Sequence, residues 1–254
     1  SCQSELDTGS SGGSTGTATD HPPGSPAQAI TGVPSFVSMT PVSPSSTTSP
    51  VILGLAPAGS ARISLYQDPA CTSLLGSGIY QEFQVSGITL NMPANATTPI
   101  YGQATGTDPS VKSAGVLLTS YQHDDRPPTA VAQVSFVSSG PPVAFTASSS
   151  PLMSWIATTD SGSGVDHYEY SIGTVSGAAN VLSWTRSASN SQAAASGLAL
   201  TNLQSYYFNV RAVDRAGNAS APTASSPWPS ISDITPTARY PSYPNWNDYV
   251  KASN

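Results

Sequence analysis

The chain has 254 residues, of which only 9% are charged, and its formal net charge is −6 at pH 7. This charge argues against nucleic-acid binding, because no basic stripe is present to neutralise phosphates, and no apolar run approaches the roughly 18 residues that a membrane-spanning helix needs. The 69 serine and threonine, 23 proline and 21 glycine residues favour short strands joined by many turns, a composition common in secreted bacterial surface proteins.

Residues 1–34 form a low-complexity segment of Gly, Ser and Thr that we interpret as a flexible leash. The segment contains Asp7-Thr8-Gly9-Ser10, the nucleophile loop of aspartic proteases, and two matches to the hydrolase elbow G-x-S-x-G within residues 9–16. An aspartic protease needs a second aspartate and apolar strands, and an elbow needs a buried strand before its serine. Almost no bulky apolar residue is available here, so we expect no catalysis and no cofactor.

Cys2 precedes this leash and occupies the place of the acylated cysteine of a bacterial lipoprotein. Ser1 resembles the residue that comes just before such a cleavage site. We therefore predict lipidation at Cys2, which would place the protein on the outer surface of a Gram-negative bacterium, with membrane contact only through the lipid. The alternatives are an ordinary thiol and a disulfide with Cys71, the second of the two cysteines.

Residues 35–122 read as a series of short strands separated by turn signals, which is typical of a β-sandwich. Alternation of Ile63 and Leu65 with polar neighbours predicts a half-buried strand. The predicted strands are 35–39, 51–55, 61–66, 80–85, 87–90 and 100–104.

This region resembles a bacterial immunoglobulin-like domain of surface proteins. The resemblance is carried by Thr40-Pro41-x-x-Pro44-Ser45-Ser46, Ser64-Leu65-Tyr66-x-Asp68-x-x-Cys71, Gly76-x-Gly78, Gly87-Ile88 and Ala96-Thr97-Thr98-x-Ile100-Tyr101. Such domains close with a second cysteine near the equivalent of residues 113–120. This sequence has none there, so we expect Cys71 to be free or paired elsewhere.

Residues 123–128, beginning His-Asp-Asp, mark the predicted domain boundary, which we interpret as a solvated linker. A sharper hypothesis is calcium binding by Asp124 and Asp125, because carboxylate oxygens suit this ion. Asp214 and Asn218 flank a later loop and are further weak calcium candidates. For that loop a turn that bonds its own backbone is the favoured alternative.

Residues 129–227 resemble a fibronectin type III domain. The resemblance is carried by Leu152-Met153-Ser154-Trp155, the turn from Asp160 to Val165, the strand His167 to Ser171, the strand Tyr206 to Asp214, and Ala216-Gly217-Asn218. It implies a second sandwich with Trp155 in its core. Leu200 lies six residues before Tyr206, the spacing of the family's tyrosine corner, in which the hydroxyl bonds to nearby backbone.

Strand alternation makes two further predictions for this second domain. Tyr206, Phe208 and Val210 should face the core, while Tyr207, Asn209 and Arg211 should face water. Asp166 and His167 are adjacent in a strand, so their side chains should point to opposite faces, and a catalytic triad built on them is not expected.

Residues 228–254 form a tail rich in aromatic residues and proline, with little strand pattern. Its aromatic side chains are predicted to contact a sugar or a partner protein: Trp228, Tyr240, Tyr243, Trp246 and Tyr249. The alternative is a tail that packs on its own domain or the next. Residues 245–251 resemble the start of a β-helical module of large bacterial surface proteins, which implies a longer protein.

The sequence as a whole predicts an all-β chain with two immunoglobulin-like sandwiches in tandem between the leash and the tail. We expect a non-catalytic adhesive or structural surface protein whose ligand is a glycan or a surface protein. Self-association is expected through residues 1–34, which would add as a strand to another copy and build a fibre or oligomer. The alternative is an accessory spacer or carbohydrate-binding region of a secreted polysaccharide-degrading enzyme.

Overall fold

The computed structural model of the chain describes residues 29–136, 151–198, 200–201 and 204–229. Most of the predicted leash and tail therefore lies outside the described residues. The chain divides into two compact units: unit 1 comprises residues 1–126 with 215–218, and unit 2 comprises residues 127–214 with 219–254. Among the residues that the structure describes, no helix has the length and hydropathy to cross a membrane.

Unit 1 is a sandwich of two antiparallel sheets, so the predicted all-β class is confirmed for it. One sheet has four strands in the order β4-β3-β6-β7, and the other has three in the order β1-β2-β5. The elements are β1 (Ser35–Thr40), β2 (Val51–Leu55), β3 (Arg62–Tyr66), β4 (Leu74–Ile79), α1 (Tyr80–Val85), β5 (Ile88–Thr89), β6 (Thr97–Thr105) and β7 (Val116–Gln122).

The core of unit 1 lies between these sheets. Ile52 comes from the three-stranded sheet, while Ile63 and Leu65 of β3 come from the other, and all three side chains are fully buried. Tyr121 is also fully buried, and its hydroxyl donates a hydrogen bond of 2.7 Å to the carbonyl oxygen of Thr47. The loop after β1 is thereby bound to the opposite sheet.

The strand predicted at residues 80–85 is wrong, because these residues form the helix α1. The Glu82 carboxylate accepts a hydrogen bond of 3.0 Å from the N–H of Ile79, which satisfies a donor at the start of the helix. At the other end, Gly87 has a φ of +82° and its N–H donates to the carbonyl oxygen of Glu82 at 2.6 Å. Phe83 is the one buried residue of the helix, whereas Val85 is 80% exposed. These local bonds override the alternation that indicated a strand.

Unit 2 is a second antiparallel sandwich, as the fold-class prediction requires. Its larger sheet has the order β11-β10-β13-β14, with β15 also paired to β13, and its smaller sheet has the order β12-β9-β8. The strands are β8 (Ala132–Phe136), β9 (Leu152–Ile156), β10 (Val165–Gly173), β11 (Leu182–Arg186), β12 (Gln192–Ala194), β13 (Ser205–Asp214), β14 (Thr223–Ala224) and β15 (Trp228–Pro229).

The predicted inward residues of β13 are buried: Tyr206, Phe208 and Val210 have exposures of 2%, 0% and 0%. They pack with Trp155 of β9, which is 4% exposed. The Tyr206 hydroxyl accepts a hydrogen bond of 2.7 Å from the N–H of Thr201, five residues earlier. The tyrosine-corner prediction is thus confirmed in its bond to nearby backbone.

The prediction that Asn209 faces water is wrong, because this residue is fully buried on the outer side of the sheet. The loop between β10 and β11 folds over it. The Asn209 amide donates to the carbonyl oxygen of Ala178 at 2.7 Å and to Ser171 Oγ at 3.2 Å, and it accepts from the N–H of Gly177 at 2.7 Å. Alternation gave the correct side of the strand but could not reveal the loop that covers it.

Candidate functional sites

A β-bulge on β10 brings Asp166 and His167 together. The register pairs Val165 with Asp214 and then His167 with Val213, so Asp166 is an extra residue in the strand. His167 Nδ1 and Asp166 Oδ2 are 2.7 Å apart. Our expectation that these side chains point to opposite faces is therefore wrong, since the rule of alternation holds only for a regular strand.

The pair is part of a charged network on the outer side of the larger sheet of unit 2. His167 Nε2 lies 3.5 Å from Glu169 Oε1. Glu169 Oε2 accepts hydrogen bonds from Arg211 Nε and Nη2 at 2.7 and 2.6 Å, and the Arg211 guanidinium lies 4.3 Å from the centre of the Trp184 ring. A triad needs a hydroxyl at Nε2, but this nitrogen faces a carboxylate. The arrangement joins three strands by charge pairing and a cation–π contact.

His123, in the predicted linker, is 2% exposed, and both of its ring nitrogens contact backbone. Nδ1 accepts a hydrogen bond of 2.8 Å from the N–H of Asn95, which assigns the ring proton to Nε2. Nε2 then donates to the carbonyl oxygen of Ser46 at 3.1 Å. The prediction of a solvated linker is wrong for His123 and for Asp124, which is 1% exposed. His123 holds two loops of unit 1.

The calcium candidates differ in their surroundings. In unit 1, Asp124 Oδ1 accepts a hydrogen bond of 3.2 Å from the N–H of Arg126, the Asp124 carbonyl oxygen accepts from Asn218 Nδ2 at 2.9 Å, and Asp125 is exposed. In unit 2, Asp214 is 2% exposed, and one of its carboxylate oxygens lies within 4.8 Å of one of Asp160. The calcium hypothesis stays a prediction.

Asp160 was not among the candidates, because its sequence context indicates a turn. Its carboxylate does serve that turn, accepting from the N–H of Gly162 at 2.9 Å and from that of Gly164 at 2.7 Å. Proximity to Asp214 arises from strand pairing, since Val165 of β10 lies opposite Asp214 of β13. No local sequence pattern reports such a juxtaposition.

The loop that holds Cys71 is closed by a neighbouring carboxylate. Asp68 accepts from the N–H of Ser73 at 2.7 Å and from the N–H and hydroxyl of Thr72 at 3.2 and 3.1 Å. The Ser73 N–H is the main cause that lowers the pKa of Asp68 below its ordinary 3.8. Cys71 is disulfide-bonded, so of the two expected alternatives, a free thiol or a cysteine paired elsewhere, the second is confirmed. The other cysteine of the sequence, Cys2, lies outside the described residues.

A groove of about 430 Å³ opens on unit 1 between one loop, the helix α1 and the turn after β6. Residues 56–60 form one wall, and Tyr80, Gln84 and Thr107 complete the lining. Among the described residues, no charged side chain lines it. We did not predict this site, because its walls come from three separate segments and its helix was read as a strand.

Most of the aromatic residues of the tail that we predicted to contact a ligand lie outside the described residues. Trp228 belongs to β15, which pairs with β13, so the chain is still part of the sheet of unit 2 at this point. The others, Tyr240, Tyr243, Trp246 and Tyr249, lie outside the described residues. Their role in binding stays a prediction.

No protein-family model matches the sequence, and no curated protein matches it either. Among solved structures, the chain is similar to the fibronectin(III)-like modules of CbhA from Clostridium thermocellum, at 14% identity and a TM-score of 0.42, covering 80% of this chain and 97% of that one. The chain is also similar to the FN1–FN3 domains of chicken CNTN1, at 15% identity and a TM-score of 0.45, and this match covers 77% of this chain and 66% of that one.

A third similar structure is the ligand-binding domain of human OSCAR, at 13% identity and a TM-score of 0.30, and this match covers 79% of this chain and 99% of that one. Similarities at these identities and TM-scores support no inference about activity or ligand. The strand order and pairing of the two units define the fold.

Proposed function

We propose that this chain is a non-catalytic extracellular structural protein, which spaces or presents a binding surface on the outside of a Gram-negative bacterium. The main support for the proposal is that ionisable side chains of the described residues bond to the protein's own backbone or to one another. Asp68 and Asp160 bond to the backbone of their own turns, His123 bonds to two loops, and Glu169 pairs with Arg211. Side chains bound in this way stabilise loops and strand contacts, as a spacer requires.

The disulfide at Cys71 supports the extracellular location, because structural disulfides persist in oxidising compartments. Lipidation and a disulfide are exclusive alternatives for Cys2, since each uses its single sulfur atom. Mass spectrometry of the native protein separates them. An acyl mass on Cys2 supports a lipid anchor, whereas a loss of two hydrogen masses without acyl mass supports the disulfide.

Self-association is part of the proposal. Among the described residues, β1 pairs only with β2, and five of its six residues are exposed, including Phe36 and Val37 at 38% and 55%. A sheet edge of this kind accepts an added strand through backbone hydrogen bonds. We expect the predicted leash, residues 1–34, of another copy to supply that strand. Within its own chain Ile30 packs against the core of unit 1 and Pro34 is buried, so the test deletes only residues 1–28. Light scattering of the intact chain beside this shortened chain tests the proposal, and equal monomer masses at high concentration exclude it.

The main test of the proposed function is competition for adhesion. Purified chain should reduce the attachment of the bacteria that carry it to a surface, and should leave polysaccharide, peptide and ester substrates intact. An equal amount of heat-unfolded chain is the control. Turnover of any substrate by the purified chain, or attachment unaffected by the folded chain, contradicts the proposal.

A second candidate function is that of an accessory carbohydrate-binding spacer in a secreted polysaccharide-degrading enzyme. The observation that favours it is the uncharged groove beside Tyr80. The full open reading frame distinguishes the two candidates: a catalytic domain beyond Asn254 supports the enzyme, whereas a β-helical or fibre-forming region supports adhesion.

A further inference from the structure

We propose that the groove of unit 1 binds a neutral oligosaccharide, an inference that rests on the proposed function as a protein that presents a binding surface. Its volume of about 430 Å³ falls within the range of small-molecule pockets. The lining combines a wall of small side chains, residues 56–60, with one aromatic ring and several uncharged polar groups.

Tyr80 supplies the aromatic surface. It is the first residue of α1 and is 38% exposed, so part of its ring is available to a ligand. Its backbone N–H donates to the carbonyl oxygen of Ala61 at 3.2 Å, which fixes the start of the helix beside the loop. An exposed tyrosine offers both an apolar face and a hydroxyl, and this combination matches the C–H face and the hydroxyl groups of a sugar ring.

The polar groups of the groove are free to bind. The side chains of Gln84 and Thr107 are exposed, and neither these nor the Tyr80 hydroxyl has a hydrogen-bond partner within the described parts of the chain. Together they offer an amide, which donates and accepts, and two hydroxyl groups. A neutral polyhydroxylated ligand matches these groups, whereas an anionic ligand would find no cation among the lining residues.

The walls are fixed before a ligand arrives. The N–H of Thr31 donates to the carbonyl oxygen of Ala58 at 3.1 Å, and Ser60 Oγ donates to that of Pro57 at 2.6 Å. Gly59 has a φ of +85°, and a β-carbon there would lie 2.6 Å from the carbonyl oxygen of Ala29. A residue larger than glycine could not adopt this conformation at position 59. Because its own hydrogen bonds hold the loop, binding orders few groups, which favours affinity.

The test is isothermal titration calorimetry of the full chain with three neutral probes: cellohexaose, chitohexaose and maltohexaose. We expect at least one probe to bind. Tyr80→Ala should weaken that binding by about tenfold or more, because the ring contact is lost. Gln84→Ala and Thr107→Val should each weaken it by a smaller factor, and Tyr80→Phe should retain most of it.

Tyr207→Ala, which removes a partly exposed tyrosine of unit 2, is the matched control and should bind as the unaltered chain does. Thermal unfolding of every variant verifies that it is folded. The proposal is overturned if none of the three probes binds, or if a folded Tyr80→Ala chain binds with unchanged affinity. If none of the probes binds while the folded chain still competes for bacterial adhesion, the groove proposal fails and the proposed function survives, so the two failures are distinguishable.

Discussion

Tyr206 should stabilise unit 2 through both its ring and its hydroxyl, and two substitutions separate these contributions. The side chain is 2% exposed, so Tyr206→Ala leaves a cavity the size of a ring and should cost about 3–5 kcal/mol of unfolding free energy. Tyr206→Phe keeps the ring and removes only the acceptor of the 2.7 Å hydrogen bond from Thr201. It should cost about 1–2 kcal/mol.

Guanidinium unfolding followed by tryptophan fluorescence is the appropriate assay. The three tryptophans that the structure describes, Trp155, Trp184 and Trp228, belong to unit 2, and the described residues of unit 1 contain none, so the fluorescence reports on unit 2 and not on unit 1. Tyr207→Phe is the matched control, because Tyr207 is only partly buried on the other side of the same strand. It should change stability by less than about 0.5 kcal/mol.

Two results would refute the reasoning. Near-native stability of Tyr206→Ala would mean that Tyr206 does not pack in the core. A Tyr206→Phe chain as stable as the unaltered chain would mean that the bond to Thr201 adds nothing to the stability of the fold.

Gly54→Ala should destabilise unit 1 by about 1–3 kcal/mol, because a β-carbon there would overlap the ring of Phe83. Gly106→Ala is the control, since its β-carbon would find only ordinary contacts. If Gly54→Ala and Gly106→Ala have equal midpoints of chemical denaturation, the prediction is contradicted. The lowered pKa of Asp68, due mainly to the N–H of Ser73, contributes stability that is present above pH 3.8 and is lost as pH falls through the lowered value. In Asp68→Asn the Tm measured by circular dichroism should therefore fall less as the pH is lowered than in the unaltered chain. If the Tm of the two chains falls equally with pH, this contribution of Asp68 is contradicted. The calcium hypothesis predicts a Tm that rises with calcium and falls with a chelator, and a calcium-insensitive Tm contradicts it.

The sequence predicted the fold where strands follow simple alternation, as at Ile63 and Leu65 or at Tyr206 and Phe208. It failed where local bonds or an extra residue interrupt that pattern. Glu82 and Gly87 turn a strand-like segment into the helix α1, and Asp166 inserts a bulge. These are short-range effects of one or two side chains, which hydrophobic periodicity does not detect.

The groove could not be predicted from the sequence, for a different reason. Tyr80, Gln84 and Thr107 are common surface residues with no shared motif, and only the packing of three segments brings them together. The cysteine alternatives illustrate the same limit. The missing cysteine at residues 113–120 left Cys71 free or paired elsewhere, because sequence does not reveal whether Cys2, the one other cysteine, lies within reach.

The contact between Phe83 and Gly54 connects the dynamics of α1 to those of the whole of unit 1. Phe83 is fully buried against the backbone of β2, so α1 cannot swing away unless the core opens. The amide protons that close the helix, on Ser86 and Gly87, should then exchange with solvent mainly when the core of unit 1 opens. A ligand held by Tyr80 and Gln84 on the outer side of this helix would slow exchange throughout the sandwich, including strands that it never touches.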